Sequence, residues 1–164
     1  MDFSKLVEEL WKKFFSKVDE KTKGDIIKWF SPKCVIIGTG AHEFYTGLDN
    51  FLCAFANEMT ERNDIEFNLK NIWCEQMQFD SKTCLVYGKI YVLGESEDKS
   101  VLINMDGRFT LIFHMVEGHW EIIHIHYSIP NQEQGDGEYY PKTLLKKVQE
   151  LQSINDEMRA LAQK

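Results

Sequence analysis

The sequence predicts an α+β domain in which a curved antiparallel sheet wraps around N-terminal helices. Three observations carry that prediction. Apolar residues recur at helical spacing near the N-terminus, from Phe3 to Phe14. After Arg62 the period shifts to strand alternation, beginning with Ile65, Phe67 and Leu69. The strand-like segments then follow one another to Ser128 with no helical stretch between them, which is the pattern of a meander.

Each element has its own signal. Phe3, Leu6, Val7, Leu10, Trp11, Phe14 and Val18 form an amphipathic helix that Asp2 or Ser4 can cap. A second helix spans Lys21 to Phe30 and stops at Ser31-Pro32, because proline disfavours helix in the residue before it. CVIIG, Cys34 to Gly38, reads as a buried strand that runs into a glycine-punctuated loop, GTGAHEFYTG. Gly38 and Gly40 have half the spacing of a dinucleotide fingerprint, but no helix opens there, so they mark a turn. The third helix spans Gly47 to Met59, with Leu48, Phe51, Leu52, Phe55 and Met59 on one side.

The long strands follow. The first runs from Ile65 to Phe79, with a break in alternation near Lys70-Asn71 that suggests a bulge. Thr83 to Gly94, Val101 to Met115 and His119 to Ser128 are the others, the last pair joined by a tight turn at Glu117-Gly118. Residues 131–141 are a polar loop, and Pro141 suits the first turn of a helix. Residues 142–164 then read as one helix with Leu144, Leu151, Ile154, Met158 and Leu161 at heptad core positions and Lys147 as the polar exception. The organisation expected is a domain over 1–130, a linker over 131–141 and a coiled-coil helix over 142–164. The helix ends in mid-pattern with no closing cap, so the chain is expected to be the N-terminal piece of a longer protein.

Composition narrows the function. A formal net charge of -7 argues against nucleic acid, which needs a basic face. No apolar run approaches the roughly 18 residues of a membrane helix, and the N-terminus lacks a signal-peptide core. Cys34, Cys53, Cys74 and Cys84 are scattered, as packed thiols of a reduced cytoplasmic protein would be, and form no close pair for a metal.

The stretch HWEIIHIHYS, His119 to Ser128, poses the main question of chemistry. On an uninterrupted strand, Ile122, His124, His126 and Ser128 share one face, and Ile123, Ile125 and Tyr127 share the other. The second set is apolar and faces the helices. Arg108, Thr110, Ile112 and His114 alternate with Phe109, Leu111 and Phe113 on the preceding strand in the same way. The histidine face carries Ile, Thr and Ser rather than many charges, so a partner subunit is its preferred cover. The other orientation, with the histidines lining a pocket, stays open because one sequence does not set register. A metal is the weaker reading, since a catalytic zinc needs a third protein ligand. Few acids sit at apolar strand positions: Asp106 and Glu121 are beside turns and solvated.

The order of elements, with the last strand's Trp120, Ile122, His124 or His126, Ser128 and Pro130 after a turn at Gly118, resembles the NTF2-like superfamily and its SnoaL-like branch. The segment Gly107 to Thr110 is similar too. The resemblance implies a cone-shaped fold, sheet-mediated dimers and, in some members, a pocket Asp or His acting as a proton-transfer base. It does not imply one activity, because the fold hosts isomerases, dehydratases, transport factors and binding domains. The tail GEYYPKTL, followed by the heptad helix, resembles the connectors of bacterial signalling proteins, in particular those entering diguanylate cyclase (GGDEF) domains.

The expectation is a cytoplasmic, non-catalytic sensory domain that forms a homodimer and binds a small organic ligand. The candidate ligand-binding residues are Trp29 and Tyr45 from the roof of the cone, His124, His126 and Tyr127 from the last strand, and Arg108 from the strand before it. No catalytic residue, metal ligand or cofactor is assigned. The alternative is a small stand-alone enzyme of the SnoaL or ketosteroid isomerase type, with His124 or His126 moving the proton.

Overall fold

The computed structural model describes residues 1–16, 19–62, 65–99, 102–131, 134, 137 and 142–162. Val18, Val101, Pro141 with most of the expected polar loop, and the last two residues lie outside the described residues. The chain divides into two compact units, Met1–Ile129 and Pro130–Lys164.

The first unit contains α1 (Phe3–Phe14), α2 (Glu20–Ile27), β1 (Phe30–Ile37), β2 (Phe44–Thr46), α3 (Leu48–Glu61), β3 (Ile65–Asp80), β4 (Thr83–Ser96), β5 (Leu102–Val116) and β6 (His119–Ser128). The strands form one six-stranded sheet in the order β2-β1-β6-β5-β4-β3. All neighbours are antiparallel except β1 and β6, which run parallel. The second unit contains α4 (Lys142–Ala162).

Helix α1 starts where Asp2 accepts a hydrogen bond from the Lys5 N–H at 3.0 Å. It buries Phe3, Val7, Leu10 and Trp11 on the inner face of the sheet. The Phe3 ring lies 4.8 Å from the rings of both Phe113 and Trp120. The Phe3 N–H donates to Oε1 of Gln76 on β3 at 2.8 Å, which fixes the helix start against the sheet edge. Burying a large apolar side chain contributes about 1.5–3 kcal/mol, so these four positions together seat the helix more firmly than its cap does.

Several sequence expectations change in detail. Helix α2 ends at Ile27, and β1 begins at Phe30 and runs through Pro32. The ladder tolerates Pro32 because register shifts between Phe30 and Val35, so no N–H is required there. The loop GTGAHEFYTG contains a short strand that was not expected: β2 pairs with β1 through Val35↔Thr46, Ile36↔Tyr45 and Ile37↔Phe44. The register of β3 on β4 shifts between Leu69 and Asn71, at the break in alternation. Glu117 and Gly118, both at positive φ (51° and 87°), make the turn into β6.

The largest correction concerns β6. Ile112 pairs with His124, yet Phe113 pairs with Ile122, so Ile123 is the extra residue of a bulge. The bulge reverses the alternation on its N-terminal side. Ile122, expected beside the histidines, is 0% exposed on the core face with Phe113 and Leu111.

Candidate functional site: an aromatic cavity in the cone

The inner face of the sheet and helices α1 to α3 line a cavity of about 470 Å³ that is open to solvent. Its walls come from every layer: Leu10, Trp11 and Phe14 on α1 with Phe15 just after it, Ile26 on α2, Phe51, Ala54 and Phe55 on α3, and Leu111, Ile122, Ile125 and Tyr127 on the sheet. Aromatic rings are prominent in the walls. Trp11 packs 5.4 Å from Phe109, 5.5 Å from Tyr127 and 5.7 Å from Phe15, and Phe51 links Phe30 to Phe55 at 5.7 and 5.5 Å.

The acidic and basic side chains on the lining are His42, Glu43, Glu58 and Arg62, and two of them, His42 and Glu58, face solvent. His42 is exposed, and the Glu58 side chain retains 45% exposure. Glu43 is held in place: its carboxylate Oε2 accepts the Gly40 N–H at 2.8 Å and the Thr39 hydroxyl at 3.3 Å. The Glu43 carbonyl accepts the Gly38 N–H at 2.8 Å. A Cβ on Gly38 would sit 2.2 Å from that carboxylate oxygen, so the turn requires glycine there. Burial, together with the charges of Glu43 and Glu58, holds the Tyr45 phenol above its ordinary value.

Arg62 is the exception among the charges. Its side chain is only 11% exposed. Its guanidinium lies over the rings of Phe67, Phe14 and Phe15 at 4.5, 4.9 and 5.6 Å. It donates to the Phe14 carbonyl at 2.8 Å and reaches Glu58 at 3.4 Å. Burial lowers its pKa, and Glu58 works against that shift. Cation–π contact and a charged hydrogen bond together offset the cost of removing the guanidinium from water.

Tyr127 stands deeper. Burial, with the negative charge of Asp106 added, pushes its phenol up to about 12. Its hydroxyl and Trp11 Nε1 are buried with no hydrogen-bond partner among the described residues. Asp106 itself stands in mid-strand opposite Tyr91, exposed, rather than beside a turn.

Of the six candidates from sequence, Tyr45 and Tyr127 line the cavity. Trp29 packs against the core instead, and its carbonyl accepts the Ile122 N–H at 2.6 Å. His124, His126 and Arg108 lie on the other face of the sheet, where His124 opposes Ile112, His126 opposes Thr110 and Arg108 opposes Ser128. Sequence reading missed Arg62 and Glu43 as lining residues. A lone arginine at a helix end reads as solvated, and only the fold brings three rings around it. Among the described residues no cluster of His, Cys, Asp and Glu could hold a metal ion. Nor is any described helix long and apolar enough to cross a membrane.

Comparison with solved structures matches this architecture to an NTF2-like protein of unknown function from Pseudomonas putida. That likeness has a TM-score of 0.59 at 16% identity, over 80% of this chain and 89% of that one. The chain is also similar to an uncharacterised protein with a cystatin-like fold from Caulobacter vibrioides (TM-score 0.58, 18% identity, 78% and 89% covered). A third likeness is to the hexachlorocyclohexane dehydrochlorinase LinA-type3 from Novosphingobium barchaimii (TM-score 0.58, 15% identity, 82% and 90% covered). At such identities the likeness is one of fold. No curated protein matches. The family model described as SnoaL-like domain matches residues 7–132, and the chain belongs to that family.

Proposed function

We propose that this domain is a binding module that takes one small, mostly apolar organic molecule into the cone and performs no chemistry on it. The cavity carries the reading. Its volume of about 470 Å³ falls within the range of small-molecule sites, and its interior is built of aromatic and aliphatic side chains. A histidine-dependent enzyme would need a base inside the cone. His124 and His126 lie on the opposite face, and His42, which does line the cavity, is exposed.

The same proposal makes the module a homodimer and a sensor. The outer face of the sheet carries a continuous row, Met77–Leu85–Ile112–His124–Val35, set side by side by the strand register. Such a row supports burial against a second copy. Helix α4 exposes Val148, Leu151, Ile154 and Met158. Their spacing supports a helix pair whose packing ligand occupancy biases, as in a cytoplasmic signalling protein, with differential affinity for two states as the driving force.

The test is calorimetric titration with a neutral two-ring aromatic probe, beside the variant Ala54→Trp, which fills the cavity. Saturable one-to-one binding by the natural chain and its loss in the folded variant are expected. Absence of saturable binding, or binding that survives Ala54→Trp, would sink the proposal.

A further inference from the structure

The cavity meets solvent at a polar rim, and one carboxylate there is built into place. Thr39, His42 and Glu58 are exposed and also line the cavity. Glu43, half-buried on the same lining, is fixed through one oxygen only: its Oε2 accepts the Gly40 N–H and the Thr39 hydroxyl. Its other oxygen, Oε1, has no hydrogen-bond partner among the described residues. Both donors are neutral, and among the described residues no cation pairs with Glu43. The two glycines of the loop leave room for this side chain. A Cβ on Gly38 would stand 2.2 Å from Oε2, and one on Gly40 would stand 3.3 Å from Cδ.

The chemistry of the rim selects the ligand. Arg62, the one arginine on the lining, is committed to its three rings, the Phe14 carbonyl and Glu58. A molecule that fills the cone covers the rim and takes water from Glu43. A carboxylate that loses water without gaining a partner is costly to bury. A neutral end on the ligand leaves that cost standing, and an anionic end adds repulsion to it. An ammonium end replaces the lost water with a charge-assisted hydrogen bond at Oε1. The aromatic walls favour the same sign, because the face of a ring attracts a cation. So does the field at Tyr45, where the charges of Glu43 and Glu58 add to burial in opposing ionisation of the phenol.

Resting on the binding function proposed above, we infer that the ligand class is an amphiphilic organic amine, bound as its ammonium ion. Its apolar body lies against the aromatic walls, and its ammonium group donates to Glu43 at the rim. Glu43 is then the residue that sets specificity, separating an amine from an alcohol or a carboxylate on the same apolar body.

The experiment titrates three probes that share one rod-shaped body and differ at the end. They are biphenyl-4-ylmethylamine, a cation at neutral pH, biphenyl-4-ylmethanol and biphenyl-4-carboxylate. Each is titrated into the natural chain, Glu43→Gln, Glu43→Asp and Asp49→Asn. The glutamine keeps an oxygen for Gly40 and Thr39, and the aspartate draws the charge back by one methylene. Asp49, exposed in the first turn of α3 and off the lining, controls for the general pull of a chain with a net charge of -7. The natural chain should bind the amine about tenfold more tightly than the alcohol, with the carboxylate weakest. In Glu43→Gln the preference should fall below about threefold while the alcohol binds as before, which reports an intact cone. Glu43→Asp should fall between, and Asp49→Asn should keep the full preference. Equal affinity for amine and alcohol, tighter binding of the carboxylate, or a preference that neither Glu43 variant lowers would overturn the inference and leave the binding cavity standing. So would a preference that Asp49→Asn lowers as much as Glu43→Gln does. Failure of all three probes to bind would remove the inference together with the binding function on which it rests.

Discussion

Tyr127 lies across Gly107 so closely that a methyl group at Gly107 would stand 2.4 Å from ring carbon Cε2 and 2.5 Å from the hydroxyl. The glycine on β5 is what lets a tyrosine on β6 lie down along the cavity wall. Gly107→Ala should therefore displace the ring and destabilise the domain by about 1–3 kcal/mol, the usual cost of overpacking. A double-mutant cycle with Tyr127→Ala checks the cause. In the Tyr127→Ala background, Gly107→Ala should cost less than half as much, as measured by urea denaturation. Strictly additive costs would show that the glycine serves something other than this ring.

Arg62 gives a second prediction of the same kind. Its guanidinium ties the end of α1, through the Phe14 carbonyl, to α3 and to Phe67 on β3. Arg62→Met keeps the length and apolar contact of the side chain but leaves that carbonyl without its donor. The expected loss is about 2–3 kcal/mol in denaturant unfolding. Arg62→Lys should recover less than half of it, because a compact ammonium does not stack on the rings as a planar guanidinium does. A lysine variant as stable as the natural chain would sink this account.

The fold was legible wherever period alone decides the element. Alternation from Ile65, the helical stripe from Phe3 to Trp11 and the turn at Glu117-Gly118 each show in the residues themselves. The cavity wall was less legible, because one bulge residue changes which side chains share a face. Reading β6 as an uninterrupted strand groups Ile122 with the histidines, whereas the ladder skips Ile123 and turns Ile122 inward. Neither isoleucine differs in type, so no local signal separates them. Truncation should: Ile122→Ala, at a site with 0% exposure, should cost about 2–5 kcal/mol, and Ile123→Ala less than about 1 kcal/mol. Comparable losses at both positions, read from thermal or urea unfolding, would argue against the bulge. Arg62 was illegible for a different reason: the rings around it come from positions 14, 15 and 67, and no window of sequence brings them together.

Acidification should weaken the fold through His124. Partial burial, and then the neighbouring charge of His126, holds its pKa below the ordinary 6.5. The unfolded chain therefore binds this proton more readily than the folded one, and the folded state is favoured while the imidazole is neutral. Stability from this group is fully present above about pH 6.5 and falls as pH drops toward the folded-state value. The sign is thus a loss on the acid side. Its neighbours across the ladders, Ile112 on β5 and Val35 on β1, carry no charge to compensate. Urea unfolding of the natural chain and of His124→Gln at matched pH values tests it. The variant should lose less stability between pH 7 and pH 5.5, and parallel pH profiles would remove His124 from the explanation.

The outer row that ends at His124 leads to the last prediction. Met77, Leu85, Ile112, His124 and Val35 lie in register across strands β3, β4, β5, β6 and β1. Met77 keeps 48% of its surface exposed and Trp73, on the same face, 50%. Ile112 sits at the centre of the row, on the side of β5 away from Leu111 and Phe113, which are 2% and 0% exposed in the core. A charge introduced there meets the row without touching the core. Ile112→Glu should therefore convert a dimer into a monomer in sedimentation at tens of micromolar, because an unpaired carboxylate in a closed apolar interface costs several kcal/mol. The monomer should keep its circular dichroism and its binding of the aromatic probe, since the cavity lies on the other face of the sheet. Should the natural chain itself sediment as a monomer at that concentration, the sheet face has no self-association to lose. Should Ile112→Glu remain dimeric, the contact belongs elsewhere on the chain, and α4, with Leu151, Ile154 and Met158 exposed at heptad spacing, becomes the element to substitute next.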